Sequence, residues 1–134
     1  MGSVPIKNLY IRKAHHAGSW YSDDRDRLSH ELEGFLRSAE SPQVKKLRAV
    51  IVPHAGYSYS GPTAAVTQEL EQPESPISQI LVLHPSHHLY LSGQCAVSNA
   101  KTLDTPIARL HVDDELRSEI LGLSKRFTLM SKND

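Results

Sequence analysis

Two apolar runs, Leu47–Val52 (LRAVIV) and Ser78–Leu83 (SQILVL), constrain the fold more than any other feature of the chain. Each is short, ends in branched aliphatic residues and leads straight into a histidine-bearing segment. Apolar runs of this kind read as strands buried on both faces. Between them, residues 61–70 (GPTAAVTQEL) read as a helix with Pro62 in its first turn, and residues 71–76, with two prolines, as a loop. Strand, helix and strand in that order make a βαβ unit with parallel strands and a right-handed crossover. Leu28, Leu32, Phe35, Leu36 and Ala39 fall on one face of a helix over residues 23–39, which Ser22, Asp23 or Asp24 caps and Ser41-Pro42 ends. A second amphipathic helix runs over 113–123, with Leu116, Ile120 and Leu123 on one side. Residues 1–13 read as an extended lead-in, 15–21 as a turn with an aromatic pair, and 94–98 as a third strand. The expected fold class is α/β: a mainly parallel sheet flanked by helices.

Composition removes several classes of function. The chain has 134 residues, the length of one domain. Fifteen basic and fifteen acidic side chains cancel, whereas a general nucleic-acid binder needs a basic excess to displace counterions. The longest apolar runs, Ala49 to Val52 and Ile80 to Leu83, have four residues, so membrane insertion by a helix of about 20 residues is not expected. The lone cysteine, Cys95, excludes an internal disulfide and fits a reducing compartment.

The two histidine segments carry the candidate chemistry. Pro53-His54-Ala55-Gly56-Tyr57 follows the first apolar run, and His84-Pro85-Ser86-His87-His88 follows the second. As the carboxyl ends of neighbouring parallel strands they occupy the edge where open α/β sheets bind ligands. His54 and one of His84, His87 or His88 are then placed to share a metal ion, since neutral imidazole suits zinc, copper, iron and nickel. Two histidines fall short of the three protein donors that metal sites usually need. The stretch GYSYSG (56–61) fails the G-x-S-x-G pattern of serine hydrolases, and no Walker A or G-x-G-x-x-G motif exists. Tyr57, Tyr59 and Trp20 serve equally as pocket walls or as ordinary packing.

The segments HHAGSWY (15–21), VPHAGYSYSG (52–61), LHPSHH (83–88) and DTPIARLHVDDEL (104–116) together resemble the Memo family, named for mediators of cell motility. That family is similar in fold to the class III extradiol non-haem iron dioxygenases, so the resemblance implies a three-layer α/β architecture. It implies that His54 and His87 are metal ligands, for iron or copper in preference to zinc; His88, the next side chain on an extended segment, is expected to face away. The family's third ligand is a cysteine much further along, and Cys95 does not match it. His84 stands where the family usually has a small residue, which adds an imidazole to the pocket. His16, Trp20, Tyr57 and Tyr59 are the further pocket or peptide-binding candidates.

Memo proteins are about twice this long, so the resemblance presents residues 1–134 as the N-terminal half of a single Memo-like domain, with an incomplete sheet and an incomplete ligand set. The expected function is a Memo-like intracellular role, cytoplasmic and also nuclear, in signalling to cell migration and the cytoskeleton. A phosphopeptide or receptor tail is the expected partner, and self-association is expected from uncovered strands. The alternatives are a metal-dependent oxidoreductase of the dioxygenase type and an inactive truncated form.

Overall fold

The computed structural model describes residues 9–40, 48–68 and 78–130. The fold is α/β, with three helices and small parallel and mixed sheets. The chain divides into two compact units, one of Met1–Lys13, Gln79–Asp104 and Arg109–Asp134, the other of Ala14–Ser78 and Thr105–Ala108.

The second unit is built by helices α1 (Arg25–Ser38) and α2 (Tyr57–Gln68). Asp24 caps α1 by accepting the Arg27 amide at 2.8 Å, which satisfies one of the donors a helix start leaves over. Asp26 in the first turn and Arg37 in the last complement the helix dipole. Leu28 on α1 and Ala65 on α2 are buried. The two helices pack closely at Gly61, where a Cβ would lie 2.4 Å from Cε2 of Phe35, so only a hydrogen fits. The α2 helix begins four residues before the expected 61–70 segment. Its start is held by the Tyr57 amide on the Trp20 carbonyl (2.9 Å) and the Ser60 hydroxyl on the Ala55 carbonyl (2.9 Å). Pro62 therefore lies inside the helix, not in its first turn. Ser58, whose carbonyl loses a helical donor to that proline, is exposed to water.

The first unit carries five strands: β1 (Tyr10–Arg12), β2 (Cys95–Ser98), β3 (Ala100–Asp104), β4 (Arg109–His111) and β5 (Phe127–Met130), with helix α3 (Asp114–Leu123). One sheet has the order β1-β3-β4, with β1 parallel and β4 antiparallel to β3; the other pairs β2 with β5 in parallel, Cys95 opposite Phe127 and Ser98 opposite Met130. Asp113 caps α3, accepting from the amides of Glu115 (3.0 Å) and Leu116 (2.9 Å). Asp104 joins β1 to the β3–β4 pair by binding Lys13 (2.8 Å) and Arg109 (2.6 Å). The interior of the unit contains Ala100, fully buried, and Arg117. Arg117 donates to the Ala100 carbonyl at 2.7 Å and pairs with Asp114. The expected apolar face of this helix is thus corrected: a buried arginine shares it, and Leu123 is 74% exposed.

The expected βαβ unit is displaced. Residues 48–52 and 78–83 form no strand, and Ile51 is 99% and Leu83 86% exposed; Leu47 lies outside the described residues. A strand needs a neighbour for its amides and carbonyls, and no strand lies beside either run among the described residues. The histidine segments accordingly do not end paired strands. A parallel strand pair with an intervening helix forms instead from β2, α3 and β5, with β3 and β4 inserted before the helix. Strands β3, β4 and β5 had no counterpart in the sequence reading.

Candidate functional site

The turn from Ala14 to Tyr21 is a locally bonded structure. The amides of Ser19 and Trp20 both reach the His16 carbonyl, at 3.1 and 2.9 Å, and the Gly18 amide reaches the Tyr21 carbonyl at 2.8 Å. Gly18 sits at φ +81, and a Cβ there would come within 3.3 Å of Oδ2 of Asp23, so the turn needs glycine for both dihedral and space. This geometry stacks His16 on Trp20 with ring centroids 4.2 Å apart.

The H-A-G-Y segment joins this turn directly. The Tyr57 amide bonds the Trp20 carbonyl, and the Tyr21 and Tyr57 rings stack at 4.9 Å. A Cβ on Gly56 would stand 3.2 Å from that same carbonyl, which explains a glycine before Tyr57. Burial, then the neighbouring Tyr21 and Glu31, raise the Tyr57 pKa above the usual phenol value, so its hydroxyl stays protonated at neutral pH. Beside the stack lies an open hollow of about 360 Å³, bounded by Trp20, Tyr21, Asp23, Arg27, Glu31 and Ser58. Trp20 remains 43% exposed, whereas Tyr59 projects into solvent. The hollow offers an aromatic face, hydroxyls, one guanidinium and two carboxylates, a mixture suited to a polar, partly charged ligand.

His16, Trp20 and Tyr57 are therefore brought together, with Tyr21, the other half of the expected aromatic pair, as a fourth ring. His54 and Tyr59 belong to the same unit and are exposed. His84 and His87 belong to the other unit, also exposed. There the Ser86 hydroxyl donates to the Leu89 carbonyl at 2.6 Å and accepts the Leu89 amide at 3.2 Å, closing a turn around His87 and His88. The His84 Nδ1 lies 2.9 Å from the Pro85 carbonyl. A carbonyl only accepts, so Nδ1 is the donor in this contact. Among the described residues no three His, Cys, Asp or Glu side chains gather as metal donors. His54 and His87 alone are fewer donors than a protein metal centre needs. Arg27 and Glu31, the rim residues absent from the sequence reading, had one signal: a spacing of four, which puts both on one face of α1.

A Memo-like protein family model matches residues 12–134. The chain is 40% identical over 125 residues to Protein MEMO1 of Xenopus laevis, covering 92% of this chain and 41% of that protein. It is 38% identical over 128 residues to Protein MEMO1 of Homo sapiens, covering 94% and 42%. It is 41% identical over 109 residues to the MEMO1 family protein MHO1 of Saccharomyces cerevisiae, covering 81% and 32%. The chain thus spans about two fifths or less of the length of these relatives. Both the knitted turn around Trp20 and Tyr57 and the Ser86 turn around His87 lie inside the matched region, and the chain belongs to the Memo-like family.

Proposed function

We propose that this chain acts as a binding module in signalling toward cell migration and the cytoskeleton, taking a phosphopeptide such as a receptor tail in the hollow beside Trp20. The supporting observation is the join of the turn to α2 through the Tyr57 amide and Trp20 carbonyl, which fixes two aromatic stacks beside Arg27. Among the described residues Arg27 enters no ion pair, so its guanidinium is the group that meets a phosphate, against the repulsion of the Asp23 and Glu31 carboxylates in the same hollow, and rigid aromatics supply contact area at low entropic cost. Such a partner places the protein in the cytoplasm, with access to the nucleus. Calorimetry with a phosphotyrosine peptide and its unphosphorylated twin tests this reading. The phosphorylated form should bind at least about tenfold more tightly, and Arg27→Ala should remove that margin, about 1.4 kcal/mol. Equal binding of the two peptides would sink it.

The second reading is redox metal binding, iron or copper, with His54 and His87 as the imidazole ligands that the family resemblance implies. With two imidazoles the chain should hold Cu²⁺ or Fe²⁺ weakly, and zinc no better. Weak uptake lost in both His54→Ala and His87→Ala would favour this reading; uptake unaffected by either substitution would remove it.

A further inference from the structure

The run Ile80–Leu83 is an exposed segment outside any strand. At one end the Gln79 amide group donates to Oδ2 of Asp113, the cap of α3, at 2.6 Å. At the other, His84 bonds the Pro85 carbonyl and the Ser86 turn follows. Between these anchors Ile80, Leu81, Val82 and Leu83 are each at least 61% exposed, on both faces of the chain. Four adjacent branched aliphatic residues with unpaired backbone form a template for strand addition. Charge selects the partner. No Asp, Glu, Lys or Arg occurs between Glu74 and Lys101, and the whole chain has a net charge of zero. Nothing therefore repels a second copy, and apolar residues meet apolar residues when the run lies antiparallel against itself. In the symmetric register Ile80 faces Leu83 and Leu81 faces Val82, with Gln79 opposite His84, and Pro85 bounds the ladder. The other exposed run differs. Ala49–Val52 directly follows Lys45, Lys46 and Arg48, flanking charges of the kind that guard an apolar run against self-association. Strand β4 is likewise an edge blunted by charge, through Arg109.

We propose that two copies of this chain associate through an antiparallel pairing of Ile80–Leu83. Each such side chain carries about 60–120 Å² of apolar surface. Pairing covers only part of that surface on the eight side chains of two copies, so the interface stays below the about 1,000 Å² that marks a specific one and the dimer is weak and concentration-dependent. It needs neither metal nor peptide.

Sedimentation velocity on the whole chain from about 5 to 300 µM tests the pairing, with hydrogen exchange at the two ends of that range. The average mass should climb from 14.9 kDa toward twice that value and level off there, and the amides of 80–83 should gain protection as it climbs. Val82→Lys should weaken association at least about tenfold, because like charges are brought into one ladder. The substituted side chain is exposed, so unchanged far-UV dichroism is expected and separates lost pairing from lost folding. Ile51→Lys should leave association unchanged. A monomer across the range overturns the proposal, as does growth past the dimer without a plateau. Association lost in Ile51→Lys and kept in Val82→Lys overturns it as well.

Discussion

The segment from Ala14 to Ser38 and the run Ile80–Leu83 both stood out in the sequence, yet one is knitted together and the other is bare. The first closes its hydrogen bonds within a few residues: Asp24 on its own helix, Ser19 and Trp20 on His16, Gly18 on Tyr21. The second has its apolar side chains and backbone directed at solvent. A helix or turn draws its partners from nearby in the chain, whereas a strand depends on another strand that the sequence does not identify. The exposed runs are unpaired strand sequence, a state set by what is beside them.

The sharpest way to break this contrast is hydrogen exchange at low concentration. Amides in the middle of α1 should exchange at least about 100-fold more slowly than those of 49–52 and 80–83, a gap of about 2.7 kcal/mol. Equal protection would mean that the runs find partners within one molecule. Next in size is Arg117→Ala, which takes a buried charged donor from the Ala100 carbonyl and should cost the sheet unit about 2–3 kcal/mol in urea unfolding. Gly61→Ala should cost the helical unit about 1–3 kcal/mol, since the added methyl enters the Phe35 ring. A mutant as stable as the parent would show that α1 and α2 are loosely apposed. Asp24→Ala should cost about 1 kcal/mol through the lost cap, read as lower helicity and an earlier melt.

The smallest effect separates the units by pH. Hydrogen bonds from Lys13, then Arg109, lower the Asp104 pKa; those from the Leu116 amide, then Gln79, lower that of Asp113. Depressed carboxyl pKa values stabilise the fold above their unfolded values near 4 and lose that contribution as pH falls through the folded ones. The sheet unit should therefore loosen at acid pH. The raised Tyr57 pKa acts in the opposite direction: its contribution is intact below about pH 10 and is lost as pH rises through the folded value. Base should loosen the helical unit first, and Tyr57→Phe should remove that alkaline step. Acid and base acting on the same amides would erase the distinction.

The legible features were those with local causes. The amphipathic period and acidic cap of α1, the helix over 113–123 and the strand at Cys95–Ser98 all followed from neighbours in sequence. The family signatures were legible too, and Trp20 and Tyr57 meet within the matched region. Strand β3 (AKTLD) and strand β4 (RLH) are short and polar, so their apolar pattern is faint and their pairing rests on distant residues. The burial of Arg117 was equally hidden, because its compensating acceptor, the Ala100 carbonyl, is seventeen residues away. The hollow's Arg27 and Glu31 look in sequence like the solvated face of a helix and acquire a role only beside the Trp20 turn.

Trp20 is the only tryptophan in the chain, and its ring lies against His16 in the helical unit. Indole fluorescence from this molecule therefore originates in that unit alone, while the sheet unit contributes none. An emission trace follows the loss of the His16–Trp20 stack, whereas far-UV dichroism sums both units. Two melting curves recorded on one unlabelled sample then tell whether the units come apart together or in turn.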